Sequence, residues 1–281
     1  RGTASPRLTL DWFALWQSPE LAPLIKDHPR VLLKLQRPYL LRGLDTQQRW
    51  RILRDHYCFT LKHFSAAAFA EIFTAPGAWL AEVPVSGAGT FSLRLFYHDL
   101  YEKEGELSLI FYDEQKQSRV CVLSFCVFSC RPGRRHIFIG GLQGFKPANQ
   151  REFVAAVTRA MFGLRPKALL LFALQEISSL WNIRSIRAVS NETRNLRGKR
   201  SGIRADYDEF WLQSGGRLES DGNFTLPFEF TPRALTGIRP NKRSLYRHRY
   251  EMLAGISASI RQNMTRLAGA PHHSLAARNA P

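Results

Sequence analysis

The chain has 281 residues, 44% of them hydrophobic, with 40 Lys and Arg against 23 Asp and Glu, a formal net charge of +17. That much apolar material suits one large core or two moderate ones and excludes a wholly disordered chain. No apolar run approaches the roughly 18 to 20 residues of a membrane-spanning helix, and RGTASPRLTL lacks the apolar middle of a signal peptide, so a cytoplasmic protein is expected, peripheral attachment to the inner membrane being the variant its charge allows.

The basic excess is uneven. Seven basic residues and one acid lie between Arg184 and Arg204, and nine basic residues and one acid from Thr231 to the end. Such a field attracts polyanions, whether an anionic membrane surface, RNA or ligand phosphates. The four cysteines, Cys58, Cys121, Cys126 and Cys130, form no CxxC pair and read as reduced, buried thiols.

In chain order, the first ninety residues are predicted helical. TQQRWRILRDHYCFTLKHF places Trp50, Leu53, Tyr57, Leu61 and Phe64 on one helix face. Pro76, Gly77, Pro84, Gly87 and Gly89 then break the pattern, which sets a first boundary at residue 89. FSLRLFYHDL, ELSLIFYDE, RVCVLSFCVF and HIFIGGLQGF read as an antiparallel meander whose last strand runs into a glycine-rich bend. A helix follows through Phe153, Val157 and Met161, closed at Gly163, and PKALLLFALQEISSLW opens a second helix on its proline. SIRAVS is predicted as a buried strand, DYDEFWLQSGG as a short helix ended by glycine, NFTLPFEF as a last strand through Phe230, and the segment after Pro240 as a basic amphipathic helix.

Seven segments, KEGELSL, IGGLQG, GLRPK, VSNETR, ADYDEFW, NFTLP and KRSLYRHRYEML, stand in one order between Lys103 and Leu253 and resemble the VirK/YbjX family of bacterial proteins. That resemblance implies an association with virulence and with resistance to cationic antimicrobial peptides. Many members carry a histidine near the position of Phe162, and this chain departs from them there. A second resemblance, of fold, is to the GNAT-like N-acyltransferases, carried by VSN, EFWLQSGG and NFTLPF in series. It departs from that pattern in having two helices, where one is usual, between IGGLQG and SIRAVS. The expected fold is α+β, a helical N-terminal region (1–89) followed by a GNAT-like mixed sheet flanked by helices (90–268, ending in the basic helix) and a disordered tail (269–281).

The fold resemblance implies an acyl donor, acyl-CoA or another thioester or tRNA carrier, with its phosphates at a helix N-terminus, where unpaired N–H groups favour anions. Gly163, Arg165 and Lys167 of GLRPK are placed to hold it, while Gln143 and Gly144 of IGGLQG form either a backbone cradle or merely a tight bend. Asn191, after a strand expected to run parallel, is a positioning group or a turn cap. Asp206 can be an N-cap with Glu209 completing a capping box, or with Tyr207 it can move a proton. The acceptor implied is an amine of a peptide or envelope precursor; the sequence leaves the oligomeric state open. Two other readings stand beside this one. A binding module would use the basic surface on anionic lipid, RNA or a partner protein, and an iron-dependent oxygenase would use His98 and Asp99 with a distant histidine such as His136.

Overall fold

The computed structural model describes residues 6–85, 87, 89–131, 133–144, 150–195 and 206–268, the side chains at 130, 131, 150 and 151 excepted. The expected disordered tail, 269–281, lies outside them. Helices α1 (Pro6–Trp16), α2 (Thr46–His63) and α3 (Ala66–Phe73), joined by 3-10 turns at Ala22–Ile25 and Pro29–Gln36, precede the sheet. Strands β1 (Ala78–Val85), β2 (Gly89–Phe96), β3 (Leu107–Asp113), β4 (Ser118–Arg131) and β5 (Arg134–Gly144) follow, then α4 (Gln150–Ala160), α5 (Pro166–Leu180), β6 (Ile186–Ala188), α6 (Tyr207–Gln213), β7 (Arg217–Leu218), β8 (Phe224–Leu226) and α7 (Arg243–Leu267). The fold is α+β.

Among the described residues the strands form one eight-stranded sheet in the order β1-β2-β3-β4-β5-β6-β8-β7. Every neighbouring pair is antiparallel except β5 and β6, which run parallel. Helices α5 and α7 pack on each other, α5 against β3, β4 and β5, α7 against β1, and α2 against β4. One apolar cluster runs through Trp12, Leu53 and Phe69 of the front helices, Phe125 and Ile139 of the sheet, and Leu174 and Ile260 behind it. The expected divide at residue 89 therefore crosses a continuous core.

Two strands depart from the expected pattern. Residues 78–85 belong to the sheet: the prolines and glycines that read as a boundary lie in and around an edge strand, where Pro84, lacking an N–H, is tolerated. The last strand stops at Leu226 because Pro227 cannot donate to the ladder, and Phe230 lies beyond it with 38% of its surface exposed. Helix α2 forms as its periodicity predicts, and a reciprocal capping box between Asp45 and Gln48 fixes its start.

β4 outruns β3, and α2 satisfies the N–H groups this leaves. Val127 N donates to His56 Nδ1 at 3.1 Å and Ser129 N to Asp55 Oδ2 at 3.2 Å. The accepting Nδ1 puts the His56 proton on Nε2, and burial pushes this histidine down to about 4.

Candidate active site

The parallel pair stays joined only briefly. Ile137, Phe138 and Ile139 pair with Ile186, Arg187 and Ala188, and Val189 N donates to Ile139 O at 3.0 Å. Beyond that point β5 runs on to Gly144 bonded to β4, without β6. Into the gap comes Tyr207, from the first turn of α6, whose Oη accepts a hydrogen bond from Leu142 N at 3.1 Å. The carboxyl end of a parallel strand pair is where ligands bind in many α/β sheets.

A bulge marks the same place. Ser124 pairs with Gly141 and Phe125 with Ile139, leaving Gly140 as the extra residue. Across this bulge lies the segment Lys103–Glu106. A Cβ on Gly140 would land on the Glu104 carbonyl oxygen, one on Gly141 on the Glu104 carboxylate, and one on Gly105 on the Phe125 backbone. The double glycine of IGGLQG is therefore neither a bend nor a positive-φ turn: it lies within β5 and makes room for a second chain segment.

That segment delivers Glu104, only 6% exposed. Its Oε1 accepts from Gln143 Nε2 at 2.6 Å, whereas its Oε2 is buried with no partner among the described residues. Burial pushes this carboxyl up to about 7, against the downward pulls of the Gln143 hydrogen bond and the Arg194 charge. Arg194 lies with its guanidinium 5.4 Å from the centre of the Tyr207 ring, and its Nε is also buried without a partner among the described residues. Burial raises Tyr207 to about 12, so at neutral pH its hydroxyl keeps the proton. Two polar atoms left unsatisfied in one cluster are costly unless they serve a function. Leu40, buried against Gly140, holds a left-handed φ of 54°, the kind of local strain that gathers at functional sites.

The expected site residues separate into two groups. Asn191, Asp206, Tyr207 and Gln143 come together with Glu104, but Asn191 and Asp206 are engaged in holding the start of α6. Asn191 Nδ2 donates to Asp206 Oδ1 at 2.8 Å, its Oδ1 accepts from Tyr207 N at 3.0 Å, and its own N–H donates to Asp208 Oδ1 at 2.8 Å. Asp206 Oδ1 caps the helix by accepting from Glu209 N at 3.0 Å; that bond and the one from Asn191 hold this exposed carboxyl below its ordinary value. The capping box is half built, for Glu209 accepts instead from Gln213. These contacts orient Tyr207.

Gly163, Arg165 and Lys167 gather at the other end of α6, a helix about 10 Å long. Arg165 donates to Gln213 Oε1 at 3.0 Å, and Lys167 Nζ lies 6.0 Å from the centre of the Phe210 ring. Lys167 is half-buried, its ammonium weakened by burial and without a carboxylate partner among the described residues, which suits an anion. Gly163 takes a φ of +76°, and the carbonyl before it accepts two hydrogen bonds from Arg249, at 2.9 and 2.6 Å. Gly144 ends β5 opposite Cys121, a thiol that burial pushes well up, so that it keeps its proton.

His98 caps a turn by accepting from Leu100 N, Asp99 Oδ1 lies 3.3 Å from His28 Nδ1, and His136 pairs with Ser185. Among the described residues these side chains form no metal-ligating group.

Sequence reasoning passes over Glu104 and gives Arg194 no role, although KEGELSL and VSNETR both carry the family resemblance. An available signal was KEGE itself: two acids around a glycine immediately before an apolar strand.

The profile of a family described as protein of unknown function (DUF535) matches residues 1–262. The uncharacterized protein YbjX of Escherichia coli (strain K12) is 33% identical over 267 residues, covering 92% of this chain and 80% of that protein. Two uncharacterized proteins of Haemophilus influenzae are also similar, one 31% identical over 149 residues (53% of this chain, 50% of the relative) and one 24% identical over 255 residues (88% and 81%). The chain belongs to the DUF535 family, the VirK/YbjX family that its motifs resemble.

Proposed function

We propose that this chain is a GNAT-like acyltransferase that moves an acyl group from a thioester donor to an amine, with Glu104 as its acid–base group. The observation that carries the reading is a buried carboxyl held near 7, one oxygen without a partner among the described residues, at the open end of the parallel strand pair. A general base works best when its pKa lies near the operating pH, and here burial alone supplies the shift. The order of elements, a meander, the parallel step, α6, a glycine turn and a last short strand, supports the acyltransferase class over other uses of such a carboxyl.

In this reading Glu104 takes the proton from the attacking amine as the new carbon–nitrogen bond forms. The carbon–sulfur bond then breaks and the leaving thiolate takes the Tyr207 phenolic proton, which Glu104 restores. Arg194 keeps the carboxyl from rising further and supplies positive charge beside the developing oxyanion. Lys167 and Arg165, at the opposite end of α6, meet the donor's phosphates. The acceptor class is an amine of a peptide or envelope precursor, a class that would connect the activity to antimicrobial peptide resistance. We place the reaction in the cytoplasm; among the described residues no helix is long and apolar enough to cross a membrane.

Calorimetric titration with acyl-CoAs of increasing chain length, followed by mass spectrometry of amine acceptors incubated with the preferred donor, tests the reading. Expected are donor binding that weakens in Lys167→Ala, and transfer that falls on the order of 10²- to 10⁴-fold in Glu104→Gln while donor binding persists. Transfer unchanged in Glu104→Gln, or no binding by any donor, overturns it.

A further inference from the structure

Helix α7 divides by function along its length. From Met252 onward it is a packing helix, with Met252, Leu253, Ile256, Ile260, Met264 and Leu267 buried. Its first turns and the segment before them carry charge. Between Phe230 and Tyr250 stand six Lys or Arg and no acid. Of these, Arg233, Arg239, Lys242, Arg243 and Arg247 are exposed, and none forms an ion pair among the described residues. Five uncompensated cations on one short stretch repel each other, and an anionic surface laid against them would relieve that repulsion.

The aromatic residues among them are already engaged. Phe230 packs on Phe172 and Tyr250, Tyr250 on Tyr246, and Arg249 lies over the Tyr246 ring at 4.3 Å while donating twice to Phe162 O. Tyr250 also donates to Arg233 O at 3.1 Å, which ties residue 233 of the loop to the helix. The rings thus brace the cations and are not presented as a stacking platform for bases. At the rim, Phe230 keeps 38% of its surface exposed beside the exposed Pro232. A braced row of cations with one exposed apolar rim fits a surface of phosphate headgroups, charge to charge, with the aromatic edge at headgroup depth.

We propose that residues 231–242 and the first turns of α7 are a docking face for an anionic lipid surface. The inference is independent of the proposed acyl transfer. Each Lys or Arg near such a surface contributes about fivefold in affinity, so neutralising four costs on the order of several hundred-fold.

The test is co-sedimentation of the full chain with vesicles of phosphatidylcholine alone and of phosphatidylcholine mixed with phosphatidylglycerol, across a salt series. Two fourfold variants remove equal charge: Arg233→Gln, Arg239→Gln, Lys242→Gln and Arg247→Gln on this face, and Arg7→Gln, Lys26→Gln, Arg30→Gln and Arg51→Gln on the exposed front helices and turns. All eight positions are exposed. Expected is binding only to the anionic vesicles, weakening as salt rises, lost in the first variant and retained in the second. Equal loss in both variants, no binding by the parent chain, or release of the vesicles by bulk transfer RNA at matched phosphate concentration overturns the proposal, the last identifying a nucleic-acid surface instead.

Discussion

Glu104 and Glu106 stand two residues apart on the segment that enters β3 and are almost equally buried, with 6% and 2% of their surfaces exposed, yet they hold protons in opposite ways. Lys34 Nζ donates to both oxygens of Glu106, at 2.6 and 2.7 Å, and Tyr57 Oη donates to Oε2 at 2.5 Å. Burial alone would raise Glu106, but Lys34, His56 and these hydrogen bonds together bring it below its ordinary value. Among the described residues Glu104 receives one neutral amide and no direct cation, so burial wins and its proton is held to about 7. Depth is the same; the partner decides. Glu106 joins the front helices to the sheet through Lys34 and Tyr57, whereas Glu104 is left able to exchange a proton.

The contrast breaks most visibly at Lys34. Lys34→Met leaves a charged Glu106 buried with a single hydroxyl, and is expected to lower the unfolding free energy by about 3–5 kcal/mol in chemical denaturation. Pairing it with Glu106→Leu should recover most of that loss; a neutral single variant would show that the cation does not set the difference. Next comes the pH dependence of Glu104→Gln. A carboxyl raised in the folded state stabilises fully below its unfolded value of 4.5, and that contribution is lost as pH rises through about 7. The parent should therefore lose about 3 kcal/mol relative to Glu104→Gln between those limits, measured as the difference between their unfolding free energies. Using the difference removes the opposite slope of His56, which loses stability as pH falls from 6.5 to about 4.

Gly141→Ala drives a methyl group into the Glu104 carboxylate, and should cost about 1–3 kcal/mol by calorimetry while changing the pH at which Glu104 titrates. The smallest effect belongs to Tyr207→Phe, which takes the acceptor from Leu142 N; it should cost about 1 kcal/mol and leave the Glu106 pair unaffected.

Much of the architecture was legible because local rules and tertiary contacts agree. Trp50, Leu53 and Tyr57 mark α2, Pro166 opens α5, and Asp206 caps α6, each through a signal held within a few residues. β1 was hidden because Pro84 is a breaker anywhere but at a sheet edge, and edge position is a tertiary fact. Gly140 and Gly141 were visible as glycines, but their cause is a segment some forty positions earlier in the chain crossing over β5. Glu104 was illegible for the same reason. Its proton affinity is raised by burial against the pulls of Gln143 and Arg194, surroundings that the sequence scatters and the gap after Ile139 gathers. The acids of DYDEFW, conspicuous in the sequence, serve mainly to seat Tyr207 beside Glu104.

The most direct test is a carboxyl-carbon NMR titration of the full chain labelled at glutamate, with the Glu104 signal assigned by its absence in Glu104→Gln. A midpoint near 7, well separated from that of Glu106, is the predicted result. A Glu104 midpoint in the ordinary carboxylate range, about 4 to 5, would contradict the account.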